Sequence, residues 1–376
     1  MRGAKPPYSR LLMNQKSTLS YFLPVIILSI LSSIGVFFYK GFIGVFQSNI
    51  LSVLELSLSF DNAIVNAIIL ANMTLFWRNA FMTWGMIVAV FGMRLLFPIL
   101  IVVFTTDMGF IDAINLSLNE PAKYEAIIRS SHHILMSFGG TFLLMVFLTF
   151  LFDKNKEHHW IPFIESKAVK IANIGEIKIV VIMLLMTSIG YFAPNELYAW
   201  GSIIEDAKSQ IILGMVYGVT LFVIIELIKN ALEYDDNSER TELEKIDANA
   251  KKNAVQGGLA SFIYLELIDA SFSFDGVLGA FAVTQNIIIM VVGLGIGAFA
   301  VRSLTLLLVD RGTISKYRYL EHGAMWSIGL LALSMIVQIF YHLPEMFVTT
   351  VAIAPITIAF IHSIRVNKFE EIIKNG

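Results

Sequence analysis

Along the chain, apolar residues come in long runs separated by short polar stretches. A run of about 20 mostly apolar residues is long enough to cross a bilayer as a helix. Ten such runs occur, at about 20–39, 46–72, 80–105, 132–152, 177–195, 209–229, 255–284, 286–308, 323–342 and 346–364. The second and seventh are long and polar in the middle. The fifth, from Lys178 to Pro194, is the shortest. The pattern predicts an all-α, polytopic membrane protein of about ten transmembrane helices.

Charge placement supports this count. Cytoplasmic loops are enriched in Lys and Arg. With the N-terminus inside, the cytoplasmic side holds Arg2, Lys5, Arg10 and Lys16, together with most basic residues of 153–178, 229–252, 311–318 and the C-terminal end. The opposite side holds Lys40, Lys123, Arg129 and Lys208. Both termini are therefore expected in the cytoplasm, as for a protein of a bacterial-type inner membrane. The basic start precedes an apolar run too long for a signal peptide, so a retained first helix is expected.

These runs divide the chain into a cytoplasmic N-terminus (1–19), a first helix (20–39), a three-helix unit (46–152) and linking helices (177–229). A charged cytoplasmic loop (231–254), a second three-helix unit (255–342) and a last helix (346–364) follow. The outer loop 106–131 has room for a short interfacial helix.

Composition agrees. The 376 residues are 56% hydrophobic and only 15% charged, against about 25% charged in soluble domains. A net charge of −2 gives no reason to expect nucleic acid as a partner. The chain has no cysteine. Disulfides, thiolate metal sites and cysteine nucleophiles are thus excluded.

Two segments of the chain match each other. Glu55-Leu-Ser57-Leu-Ser59-Phe60-Asp61 and Asp269-Ala-Ser271-Phe-Ser273-Phe274-Asp275 both read acid, x, Ser, x, Ser, Phe, Asp. Each lies within a span, and the following span of each carries an arginine, Arg94 or Arg302. The copies are five spans apart, an odd number, so they cross the membrane in opposite directions. Inverted repeats with a site at their interface are a recurring transporter architecture.

A charge at the centre of a membrane helix costs roughly 2.5–3.5 kcal/mol on insertion scales. Five acids fall in the second and seventh spans: Glu55, Asp61, Glu266, Asp269 and Asp275. Arg94 and Arg302 could balance two of them, leaving a surplus suited to a divalent cation and a proton. Glu266 and Asp269, three apart, share a helix face. The wider spacings converge more easily if both helices are broken near Ser-Phe-Asp. Freed carbonyls, Ser59, Ser273 and Asn62 would add oxygen ligands. An all-oxygen shell favours Mn²⁺, Ca²⁺ or Mg²⁺ as the ion. The bland alternative is that the acids only pair with the two arginines or are protonated.

Lesser signals read more simply. His132, His133 and His342 are expected as wet interfacial residues. Glu226, near the cytoplasmic end of its span, is expected to snorkel or to pair with Lys229, and Asn66 shares a face with Asn62. Gly293-x-Gly295-x-Gly297 reads as close helix packing rather than a nucleotide loop.

These residues resemble those of the TerC-type integral membrane proteins, in the wider lysine-exporter-like superfamily. Glu55 to Asn62 looks like that family's first motif. Glu266-Leu-Ile-Asp269 with Phe274-Asp275 looks like its second, and Ala300 to Leu304 and Tyr319 to Gly323 continue the likeness. The resemblance is strongest over about 255–340. It implies metal-ion export, chiefly of Mn²⁺, with Glu55, Asp61, Glu266, Asp269 and Asp275 as metal-binding acids. The chain departs from the common pattern at Ser273, Gly276 and Ser334, as expected of a divergent branch.

Together these features lead to an expected function. It is a divalent-cation transporter working by alternating access between two inverted three-helix repeats, with the metal as substrate and the bilayer as its other partner. The alternatives are a membrane metal sensor or assembly partner that moves no ion and, more remotely, an intramembrane aspartyl protease. The chain lacks the Gly-x-Gly-Asp hallmark of such proteases.

Overall fold

The computed structural model describes residues 17–375 except 72, 107, 155, 157, 173–176, 200–201, 235–257, 260, 271–275, 278, 282 and 313–315. Asp275 and Ser273 lie outside the described residues. The protein is an all-α polytopic membrane protein. Among the described residues, seven helices are long and apolar enough to cross a membrane, and two shorter apolar helices, Phe60–Ala71 and Ile177–Phe192, accompany them.

The first helix, α1 (Thr18–Leu58), folds back at Gly41, whose φ of 70° and ψ of −163° are non-helical. The two arms lie side by side, since Asn49 Nδ2 donates to Ser33 Oγ at 3.2 Å. A residue without a side chain permits this positive φ at little cost. Helix α2 (Phe60–Ala71) follows after Ser59. The break expected in this span is confined to that one residue. Main-chain bonds continue across it, Ser59 N to Glu55 O at 2.9 Å and Ala63 N to Ser59 O at 3.1 Å. Arg78 then closes α2, donating to the carbonyls of Leu70, Ala71 and Met73 at 2.6–3.1 Å. These are the carbonyls that a helix end leaves without partners.

Helix α3 (Leu75–Ile87) runs into a π-helical stretch, Val88–Leu96, and then α4 (Phe97–Thr106). The loop with room for one short helix holds two, α5 (Phe110–Asn119) and α6 (Pro121–Ser130). Next come α7 (His132–Leu151), α8 (Pro162–Ile171) and α9 (Ile177–Phe192). A small antiparallel hairpin, β1 (Leu197–Ala199) and β2 (Ser202–Ile204), precedes α10 (Ala207–Tyr234). Residues 261–270 form a helix, here α11. The chain ends with α12 (Ile287–Asp310), α13 (Leu320–Gln338) and α14 (Glu345–Asn375).

Small residues let these helices approach closely, as packing within a bilayer requires. A methyl group on Gly293 of α12 would come within 2.7 Å of Ser48 O, and one on Gly297 within 2.8 Å of Ser52 O. The glycine run of α12 thus seats the second arm of α1, the packing expected from its sequence. The main core joins α7, α10 and α13, with Phe142, Leu143 and Met145 fully buried.

Contacts between helix ends define two faces. On one, Tyr21 meets Asp310, Arg311 meets Thr18, Trp160 meets His362 and Asn367 meets Lys316. On the other, Asn286 meets Tyr39, Gln285 meets Glu125, and His133 meets Gln210 at 2.8 Å. Glu226 pairs with Lys178 at 2.7 Å; the side chain of Lys229 lies outside the described residues. The pairing joins α9 to α10.

Candidate functional site

Glu55 lies in the last turn of α1 and is buried, with 2% of its surface exposed. It forms an ion pair with Arg94 and accepts a hydrogen bond from Ser59 Oγ at 2.9 Å. Arg94 sits in the π-helical stretch, where its Nη1 donates to Ala89 O at 2.6 Å. Wider π turns within helices are frequent at functional sites. Here the stretch carries the arginine that balances a buried acid.

The second group centres on Arg302 of α12, which is 1% exposed. Its Nη1 and Nη2 donate to Oε1 and Oε2 of Glu266, both at 3.0 Å. This is the bidentate geometry that suits a guanidinium to a carboxylate. Nη2 also donates to Asp269 Oδ2 at 3.2 Å, and Nη1 to Phe81 O at 2.7 Å. The guanidinium carbon lies 3.9 Å from the centre of the Phe81 ring. Phe81 belongs to α3, so Arg302 reaches from the second half of the chain into the first.

Asp269 receives two further donors from α2. Asn62 Nδ2 approaches its Oδ1 at 2.6 Å and Asn66 Nδ2 at 3.2 Å. One turn separates the two amides, so they share a helix face. Glu55 in turn faces the second motif, since a methyl on Gly276 would come within 2.7 Å of Glu55 Oε2. The acid-bearing segments of the two halves therefore face each other at two places.

Asp61 is buried at 3% exposure, and its Oδ1 has no hydrogen-bond partner. The side-chain oxygens of Asn62 and Asn66 are buried without partners too. Most buried polar atoms in proteins are paired, so three such oxygens on one short helix are unusual. In this region four buried carboxylates, Glu55, Asp61, Glu266 and Asp269, stand with two buried guanidiniums, Arg94 and Arg302.

Glu266 and Asp269 come together on Arg302, while Glu55 stands with Arg94. Among the described residues, no three His, Cys, Asp or Glu side chains are grouped so as to hold a metal ion. Each arginine is paired with its own acids, Arg94 with Glu55 and Arg302 with Glu266 and Asp269.

Two contributors were not singled out from sequence. Phe81 supplies a carbonyl and a ring. At Gly85 a side chain would collide with both Arg302 and Glu266. Neither carries a sequence signal, because an apolar residue or a glycine in a membrane helix is ordinary.

Comparison with known proteins places the chain. Residues 60–370 match the profile described as "Protein of unknown function (DUF475)". The chain belongs to this family. The DUF475 match takes in Asp61, Arg94, Glu266, Asp269 and Arg302, and it begins after Glu55. A relative of the DUF475 chain is "Uncharacterized membrane protein YceF" of Bacillus subtilis (strain 168), 33% identical over 106 residues. That match covers 27% of the chain and 39% of the relative, so less than half of either protein is compared. No solved structure matches the DUF475 chain.

Proposed function

We propose that the protein is a transporter that carries a divalent metal ion, Mn²⁺ foremost, outward across a bacterial-type inner membrane. The carrying observation is the buried junction of the two halves. Four carboxylates face two guanidiniums there, and the oxygens of Asp61, Asn62 and Asn66 have no partner. Ionised, the four acids leave two negative charges uncompensated, which is the charge of one divalent ion. The free donors are all oxygen, as hard cations prefer.

The resemblance to TerC-type proteins supports the same reading. So does the recurring arrangement of an acid paired with an arginine of the following span, Glu55 with Arg94 and Glu266 with Arg302. In this proposal the repeats are inverted, and the chain termini lie in the cytoplasm. Asp269 sits at the junction, held by an arginine from one half and two amides from the other.

The arginines act as internal counter-charges. With no ion bound, Arg302 offsets one of the two charges of Glu266 and Asp269 and lowers the cost of burying them. An arriving cation competes for the same carboxylates, and Asn62 and Asn66 can offer it their oxygens while their NH₂ groups stay on Asp269. Alternating access then exposes this junction to one side at a time.

The test is Mn²⁺ and Ca²⁺ flux in proteoliposomes, comparing wild type with Asp61→Asn and Asp269→Asn. Flux in wild type that both variants abolish supports a transport site at the junction. Wild-type protein that binds Mn²⁺ yet moves none across the bilayer would instead be a sensor or assembly partner.

A further inference from the structure

Helix α8 has its polarity reversed. It lies in the connection between α7, which ends at Leu151, and α9, which starts at Ile177. Both neighbours are apolar helices, so this ten-residue helix is held close to the membrane boundary by its own chain. On its inner face, Glu165 is fully buried. The carboxylate accepts from Trp326 Nε1 at 3.0 Å, from Trp160 N at 3.2 Å and from Ile161 N at 3.4 Å, and it lies 3.2 Å from His322 Nδ1. These contacts pin α8 to the start of α13.

The outward face is apolar and basic. Phe163 is 73% exposed, and Ile164 and Ile171 are 40% and 43% exposed. Lys167 and Lys170 are exposed beside them, with the Lys167 ammonium 3.8 Å from the centre of the Phe163 ring. The helix's one acid is thus turned inward, and the outward face presents two positive charges among large apolar side chains. A helix with this face lies in the plane of a membrane surface, apolar groups among the acyl chains and lysines at headgroup level.

We propose that α8 is an interfacial helix that binds anionic lipid headgroups of the surrounding bilayer through Lys167 and Lys170, with Phe163, Ile164 and Ile171 inserted below them. Water does not suit three exposed large apolar side chains on one helix. Phosphate-bearing lipids supply the complementary charge at the depth where the connecting helices place α8. The helix then links the lipid surface to α13 through Glu165. The inference stands whether or not the protein carries a metal ion.

Because the chain has no cysteine, Phe163→Cys gives a single labelling position. The full-length variant is labelled there with an environment-sensitive dye and placed in phosphatidylcholine vesicles, with phosphatidylglycerol titrated in. Lipids brominated on the acyl chain are expected to quench the dye, and aqueous iodide is expected to be excluded. Phosphatidylglycerol should deepen that protection. Adding Lys167→Gln and Lys170→Gln should raise the phosphatidylglycerol fraction needed, roughly fivefold per lysine removed, with the melting temperature unchanged. A dye open to iodide and untouched by brominated lipid would overturn the proposal. Protection that follows the protein-to-lipid ratio would overturn it too, because it would put a second copy against the face. An identical titration in the lysine variant would overturn the headgroup assignment.

Discussion

Arg302 grips Glu266 through two parallel hydrogen bonds of 3.0 Å, deep in the junction between the halves of the chain. Breaking a buried pair by removing one partner strands the other charge, at about 3–5 kcal/mol. Arg302→Met should therefore destabilise the detergent-purified protein by that order in thermal or chemical unfolding. Combining it with Glu266→Gln and Asp269→Asn should restore much of the loss. Arg302→Lys should fall between, since a lysine carries the charge without the fork.

Gly85→Ala tests how tightly that grip is enclosed. The new methyl would meet Arg302 and Glu266 directly. Overpacking of a filled interior costs about 1–3 kcal/mol. Gly92→Ala, seven residues on, meets only Val88 at an ordinary 3.5 Å and serves as its control. A melting temperature lowered by Gly85→Ala and unchanged by Gly92→Ala is the expected result.

Asn62 and Asn66 each donate to Asp269 and leave an oxygen free. A hydrogen bond to a charged group contributes about 1.5–3 kcal/mol, or roughly tenfold to a hundredfold in affinity. Asn62→Ala and Asn66→Ala should each weaken Mn²⁺ binding by that order in calorimetry. Unchanged affinity in both would place the ion elsewhere.

Glu165 makes stability depend on pH. Burial pushes its carboxyl up from the ordinary 4.5. Hydrogen bonds from His322 and Trp326, and the nearby charges of His322 and Lys156, outweigh that and hold it at about 2. Its folded value lies below its unfolded one, so its contribution is complete above pH 4.5 and fades as pH falls toward 2. Glu165→Gln should melt at a lower temperature than wild type at pH 7. The gap should narrow on acidification below pH 4.5, as melting curves across that range will show.

Some of this protein is legible in the residues alone. Intramembrane acids are visible because they violate an apolar pattern at a cost of roughly 2.5–3.5 kcal/mol each. Hence Glu55, Asp61, Glu266 and Asp269 stand out, as do Arg94 and Arg302 in the following spans. The helical runs are visible for the same reason, since spanning demands length and hydropathy. Helix α8 escaped notice because it is short and its apolar positions are interleaved with charge. Pro162 at its first turn and Lys170 in its last were the available signals.

The sequence by itself determined the all-α membrane class of the protein and marked the acids and arginines that interrupt its apolar runs, because transfer of each residue into lipid depends on local chemistry. Tertiary structure decided which charges meet. Glu226 takes Lys178, Asp269 gathers Asn62, Asn66 and Arg302, and Gly85 makes room for that gathering. Those choices depend on distances between helices, set by packing many residues away, and no local pattern of hydropathy encodes them.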